Sequence, residues 1–212
     1  LNARDTYEEM YWKYGYDRYF DSFEHYYLLY QRRNLDLWAE YADGKVTKEE
    51  LNRQRYLYPL EAVGAGDSTL AKAYERDALA MIPTKSKLMP HAREVLEYLS
   101  GKYNLYILSN GFKELQSHKM RSSGIDEYFK KVVLSDDIGI LKPWPEIFHF
   151  ALSTTQSELN NSLMIGDSWE NDIVGAAGVG MYQVFYNLSG RTDLPFAPTY
   201  QITDLKDLFN FL

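Results

Sequence analysis

Two carboxylates follow an apolar run late in the chain. Gly166 ends the run Leu163 to Ile165, and Asp167 and Asp172 come next, before an Ile/Val/Ala/Gly segment that predicts a helix. At the carboxyl end of a strand in an open α/β sheet, both could face a ligand crevice, where they repel each other unless a cation lies between them. A lysine could supply that charge, and a hard divalent ion such as Mg2+ is the simplest choice. The alternative is a helix start that Asp167 caps and whose dipole Asp172 favours.

A second polar group follows the apolar run Leu105 to Leu108. Ser109, Asn110 and Gly111 offer a hydroxyl and backbone N–H groups at a helix start, an arrangement that can hold an anion. The same three residues could equally form a plain helix N-cap.

Lys142 is the third candidate, in the segment ILKPWPEIF. Pro143 biases Lys142 toward an extended backbone, and Pro145 can begin the next helix, so the lysine is held at a loop end. On its own it would be a solvated surface lysine. Together with the other two loops it gives an anion cradle, a fixed cation and a carboxylate pair, a combination that fits phosphoryl transfer.

Alternating strand and helix patterns after residue 89 would position these loops. Strands are predicted at 105–108, 132–134, 163–165, 182–186 and 200–202, with helical patterns between them. This alternation predicts an α/β core at 89–212, a doubly wound parallel sheet covered by helices on both faces.

The first 88 residues differ, with helical patterns, many tyrosines and almost no strand signal. They predict a separate all-helical domain, joined to the core by the Pro-bracketed segment 82–90. Its aromatic residues could stack on a planar ligand, yet aromatics at helical spacing are expected mainly in a core. Trp12, Trp38, Tyr56 and Tyr58 are therefore not assigned to a site.

Composition excludes several classes of protein. The 212 residues include no cysteine, so disulfides, thiolate zinc sites and a cysteine nucleophile are excluded. No apolar run approaches the roughly 18 residues of a membrane span, so no membrane partner is expected and a cytoplasmic location is the default. The formal charge of −7 argues against a nucleic acid polymer as partner.

Common motifs of other enzyme classes do not occur. The sequence has no GxSxG, GxxxxGK[ST] or HExxH. Its one GxxGxG, at Gly175, Gly178 and Gly180, lies within and after a predicted helix, which indicates close helix packing and not a nucleotide site.

Three motifs in the order SNG, KPxPEIF and GDSxxND resemble the second, third and fourth motifs of the haloacid dehalogenase (HAD) superfamily. The resemblance covers the chain from about residue 90 to the end. NGFKELQSHKM, DLWAEYADGKVTKEEL and FAPTYQITDLKDL further resemble the pyrimidine 5'-nucleotidase branch of its phosphatases. The resemblance implies a Rossmann-like HAD core and Mg2+-dependent hydrolysis of a small phosphate monoester, such as a nucleoside 5'-monophosphate.

On that resemblance, the Ser109 side chain and the amides of Asn110 and Gly111 would hold the phosphate. Lys142 would be catalytic, bridging the phosphate and the nucleophile.

The resemblance also implies that Asp167 binds Mg2+, with Ser168 and Asp172 behind it as orienting residues. Residues 1–88 would be a helical cap that closes over the site and selects the substrate.

The family's nucleophile lies in a DxDx[TV] motif that this sequence does not contain. Adjacent Asp136 and Asp137 precede Gly139 and are expected to begin a turn instead. The first core strand and the nucleophile of an aspartyl-phosphate mechanism are therefore expected upstream of Leu1. Two rival interpretations stay open: a non-catalytic phosphate-binding or interaction protein without a nucleophile, and a metal-independent haloacid dehalogenase.

Overall fold

The computed structural model describes residues 2–212, so Leu1, which the predicted helical domain includes, lies outside the described residues. The chain divides into two compact units, the first ending at Lys87 and the second running from Leu88 to Leu212. This division falls inside the proline-bracketed segment 82–90. The roles of cap and core that the sequence suggests for the two parts stay predictions.

The first unit is helical. Its main helices are α1 (Asn2–Lys13), α2 (Phe23–Ala42), α3 (Lys48–Ala62) and α4 (Ser68–Met81). Local sequence sets the α2–α3 turn: Gly44 has a φ of 69°, and the Thr47 side chain accepts a hydrogen bond from Glu50 N at 3.1 Å. A left-handed glycine ends one helix and a threonine cap begins the next.

Tyrosines form much of the core of this unit. Four of them are fully or almost fully buried: Tyr7, Tyr30, Tyr56 and Tyr74. Tyr7 Oη and Tyr30 Oη form a hydrogen bond at 2.7 Å, and Tyr74 Oη donates to the Tyr7 carbonyl at 2.8 Å. Buried tyrosines thus supply large apolar rings whose hydroxyls still find partners. The core expectation is confirmed for Tyr56 and wrong for Trp12, which is 61% exposed.

In the second unit, strands alternate with helices, as the sequence predicts. The elements are α5 (Ala92–Ser100), β1 (Leu105–Ser109), α6 (Lys113–Ser123), β2 (Phe129–Leu134), α7 (Pro145–Thr155), β3 (Leu163–Gly166), α8 (Gly175–Gly178), β4 (Tyr182–Tyr186) and β5 (Tyr200–Ile202). A π-helical stretch, Trp169–Val174, precedes α8, and a 3-10 helix, Leu205–Asn210, lies near the C-terminus.

All strand pairings described are parallel, but they form two sheets. β1 pairs with β2, and β3 pairs with β4, which pairs with β5. Within residues 2–212, β1 and β3 are therefore edge strands. Every residue of these two apolar strands is only half-buried, whereas Val184 in β4 is fully buried. Continuous apolar strands are typical of positions flanked by strands on both sides, so β1 and β3 each carry an open pairing edge.

Close packing at the start of α8 requires glycine. A Cβ placed on Gly175 would lie 2.6 Å from the Phe148 ring and 3.0 Å from Pro143 Cα. The interpretation of the glycine-rich segment as a packing feature is confirmed at this position.

Across residues 2–212, no helix has the combination of length and apolar character that a membrane crossing requires.

Candidate active site

Lys142 occupies the centre of the candidate site. Its side chain is 10% exposed, and Nζ donates to Leu108 O at 2.9 Å and to Asp172 Oδ1 at 2.5 Å. Leu108 lies near the end of β1, and Asp172 lies in the loop and helical stretch after β3. One ammonium group thus links the carboxyl ends of the two edge strands.

Asn110 fixes the backbone at Lys142. Its side-chain amide donates to the Lys142 carbonyl at 3.0 Å, and its Oδ1 accepts from Lys142 N at 2.8 Å. The Lys142–Pro143 peptide bond is cis. The sequence motif indicated only phosphate binding for the Asn110 amide and gave no sign of this clamp, since nothing in the spacing relates an asparagine to a backbone 32 residues away.

Ser109 and Gly111 form a tight turn at the end of β1. The Gly111 N–H donates to Ser109 Oγ at 3.0 Å, which leaves the serine hydroxyl proton available for another acceptor. An anion at this turn would therefore receive the Ser109 O–H directly and would compete with Ser109 Oγ for the Gly111 N–H.

Asp172 is buried, and both its oxygens have partners. Oδ1 accepts from Lys142, and Oδ2 accepts from Ser168 N at 3.0 Å. Ser168 in turn accepts a hydrogen bond from Asn171 N at 3.2 Å and caps the helical stretch. The cation in contact with Asp172 is thus the Lys142 ammonium.

Asp167 lies in a different environment from Asp172, since only Asp172 is buried and bound to Lys142. It is exposed directly after β3 and makes no hydrogen bond or ion pair with the residues described. Burial raises the pKa of the Tyr186 hydroxyl, and the negative charges of Asp204 and Asp167 raise it further. Asp167 is thus the member of the pair whose oxygens are available to a cation.

A divalent ion would find one free carboxylate at this place. Among residues 2–212, no three His, Cys, Asp or Glu side chains gather into a metal site. Mg2+ fits such a partial set, because it usually keeps several waters and is bound through one or two carboxylates plus substrate phosphates.

The loop after β4 also reaches the segment that follows Asp167, a contact that the sequence did not predict. Arg191 Nη1 donates to Glu170 Oε1 at 2.6 Å, and the guanidinium lies 5.6 Å from the centre of the Trp169 ring. The Arg191 hydrogen bond lowers the pKa of Glu170. The pair therefore stabilises the fold above the unfolded pKa of about 4.3 and loses this effect as the pH falls through the lowered folded pKa. Its contribution is small because Glu170 is largely exposed.

Asp136 and Asp137 lie in a turn, as the sequence predicts. A 3-10 helix runs from Ser135 to Asp137, and Asp137 Oδ2 accepts from Leu134 N at 2.9 Å. Asp136 Oδ2 accepts from Lys113 N at 3.1 Å, at the start of α6. Both carboxylates therefore have local structural roles.

Comparison with known proteins supports a hydrolase. The family model for haloacid dehalogenase-like hydrolases matches residues 3–180. The pyrimidine 5'-nucleotidase YjjG of Escherichia coli is 30% identical over 185 residues, which cover 86% of this chain and 80% of the relative.

Solved structures give the same result. The crystal structure of the HAD-hydrolase YfnB from Bacillus subtilis bound to magnesium superposes with a TM-score of 0.86 at 25% identity, covering 100% of this chain and 93% of that one. A 2-haloacid dehalogenase from Pseudomonas syringae superposes with a TM-score of 0.61 at 25% identity, covering 88% and 79%. The haloacid dehalogenase resemblance and the α/β fold class are confirmed.

Proposed function

This chain belongs to the haloacid dehalogenase-like hydrolases, and we propose that it removes phosphate from small phosphate monoesters with Mg2+ as cofactor. The observation that carries this proposal is the position of Lys142, a buried cation held between the ends of β1 and β3. A fixed positive charge in a partly dry site is what a transferring phosphoryl group requires.

The ammonium group of Lys142 has one N–H donor left for a ligand. An ammonium group has three donors, and two are used by Leu108 O and Asp172 Oδ1. The third is free for a phosphate oxygen. The Asp172 carboxylate holds the ammonium in place, and the Asn110 clamp fixes the backbone behind it.

Ser109 and the amides of Asn110 and Gly111 are the proposed phosphate-binding groups. The free O–H of Ser109 and the N–H groups at the start of α6 all lie in one turn beside Leu108, whose carbonyl accepts from Lys142. Neutral donors and one cation would then share the charge of the phosphate.

Asp167 is the proposed Mg2+ ligand, with Ser168 and Asp172 behind it. Its exposed carboxylate at the tip of β3 provides a hard oxygen ligand. When bound, Mg2+ would neutralise negative charge on the phosphate oxygens.

The open edges of β1 and β3 support a nucleophile supplied by another strand. β1 and β3 are apolar, each has an unpaired edge, and Lys142 joins their carboxyl ends, so one additional strand could pair with both. We propose that a strand outside residues 1–212 pairs there and carries the aspartate that forms the aspartyl-phosphate intermediate.

A nucleoside 5'-monophosphate is the proposed substrate, supported by the similarity to a pyrimidine 5'-nucleotidase. A dehalogenase function is the second candidate, since a 2-haloacid dehalogenase shares the fold. The free Asp167 carboxylate favours the metal-dependent phosphatase.

A substrate panel tests the proposal. We expect the full-length protein with Mg2+ to hydrolyse nucleoside 5'-monophosphates faster than sugar phosphates, because two relatives are pyrimidine 5'-nucleotidases. Phosphate release is measured for each ester, and halide release is measured with 2-chloropropionate. Faster turnover of sugar phosphates would contradict the nucleotidase assignment, and halide release without phosphate release would contradict the phosphatase assignment.

A second experiment tests the metal. Asp167→Ala is expected to weaken Mg2+ binding by at least about tenfold, because it removes a carboxylate ligand from a site that has few. Isothermal titration with Mg2+ measures the change in the full-length protein, and Asp193→Ala, which removes another exposed carboxylate of the same unit, is the matched control. Equal Mg2+ binding by Asp167→Ala and the unaltered protein would remove Asp167 from the site.

A further inference from the structure

Arg55 is a buried cation in the helical unit. It lies on α3 and is 6% exposed, and its Nη2 donates to Asn52 Oδ1 at 2.5 Å. Its Nε is fully buried and has no hydrogen-bond partner among residues 2–212. A buried guanidinium N–H without an acceptor is unusual, because burying an unsatisfied charged group is strongly unfavourable.

No carboxylate among residues 2–212 lies within ion-pair distance of this guanidinium. Arg55 forms no ion pair with residues 2–212, and Glu75 acts on it only at longer range. Burial raises the pKa of Glu75, and the positive charge of Arg55 acts in the opposite direction. The Tyr56 ring, with its centre 5.1 Å from the guanidinium carbon, compensates only part of a full charge.

Three buried tyrosine hydroxyls of the same unit lie close to one another. Tyr7 Oη lies 2.7 Å from Tyr30 Oη and 3.5 Å from Tyr56 Oη, and all three tyrosines interact electrostatically with Arg55. Burial is the main cause that raises the pKa of each of these hydroxyls. They therefore stay neutral and can donate hydrogen bonds, so they do not serve as counter-ions.

We propose that Arg55 binds an oxyanion, a phosphoryl or carboxylate group, within the helical unit. The Nε–H and one Nη2–H form a planar fork that matches two oxygens of such a group, and Nη2 keeps its second proton for Asn52. This proposal is independent of the phosphatase reaction, so the two can fail separately.

The resonance of the Arg55 Nε–H gives a direct test. In 1H–15N spectra of the full-length protein, we expect it to shift saturably when inorganic phosphate or acetate is added, because the oxyanion becomes its acceptor. A response to phosphate alone identifies a phosphoryl ligand, and a response to acetate alone identifies a carboxylate. A resonance that responds to neither anion overturns the proposal.

Matched variants separate this site from general salt effects. Arg55→Lys keeps the charge but loses the fork, so phosphate binding measured by calorimetry at this site should weaken at least about tenfold. Arg53→Lys changes an exposed arginine of the same helix and should bind phosphate as the unaltered protein does. Equal weakening in both variants, or none in Arg55→Lys, overturns the proposal.

Glu75→Gln tests whether the chain itself neutralises Arg55. If Glu75 neutralises Arg55, the Arg55 Nε–H resonance will move in Glu75→Gln and will not respond to phosphate or acetate. This result would overturn the proposal. If Arg55→Lys does not fold, the anion titration of the unaltered protein still decides.

Discussion

Lys142→Met is expected to lower the free energy of unfolding by about 3–5 kcal/mol, because it leaves the Asp172 carboxylate buried without its cation. Met has a similar length, so the loss is mainly electrostatic and not a cavity effect. Thermal unfolding should move down by about 10 °C or more. In the full-length enzyme, kcat should also fall by about 10²–10³-fold, because this variant removes the charge that we propose for the phosphoryl group.

A double variant separates the two effects. Lys142→Met combined with Asp172→Asn removes both charges and keeps an acceptor for Ser168 N, so most of the stability should return while activity stays lost. Lys130→Met, at an exposed lysine of β2, should change neither property. Unchanged melting of the single Lys142→Met variant would show that the pair does not stabilise the fold.

The ends of the strands and helices were the most predictable features. The apolar runs before Ser109 and before Gly166 predicted β1 and β3, and Pro145 begins α7 as expected. These signals are local: apolar continuity, a proline at the first helical position and turn residues are read within a few positions.

Sheet order was less predictable. The alternating pattern predicted one parallel sheet, and the structure has parallel strands in two sheets with open edges at β1 and β3. Periodicity shows that a strand is buried, but it does not show which strand lies beside it.

The partner of Lys142 could not be derived from spacing. Asp167 and Asp172 are both candidates in the sequence, and the fold decides between them: Asp172 is buried against the ammonium and Asp167 is exposed. A charge pair formed by residues 30 apart has no local signature.

The burial of Arg55, in contrast, can be predicted from the sequence. It lies four residues from both Leu51 and Pro59, which are buried on α3, so helical spacing places it on the apolar face. Arg53, two positions away, is exposed. A charged residue on the apolar stripe of a helix is therefore a sign of a buried cation that the sequence alone provides.

Gly166→Ala is expected to be the most damaging single-methyl change in the second unit. A Cβ at this position would lie 2.3 Å from Asp172 Oδ2 and 2.5 Å from Asp172 Cβ, far inside van der Waals contact. Because Cβ itself is involved, a rotation of the carboxylate does not relieve the clash. Asp172 must move away, and it then loses Lys142 Nζ and Ser168 N together.

The free energy of unfolding should therefore fall by more than about 3 kcal/mol, since overpacking and a broken buried ion pair act together. Activity of the full-length enzyme should fall with it, because Lys142 loses the group that holds it. Gly178→Ala is the matched control: no atom lies within 4 Å of its added Cβ, and alanine at a helix position is neutral or stabilising by up to about 1 kcal/mol. Chemical denaturation and phosphate release measure the two effects. If Gly166→Ala unfolds at the same denaturant concentration as Gly178→Ala, the end of β3 has room for a Cβ. The proposed clash with Asp172 would then be wrong.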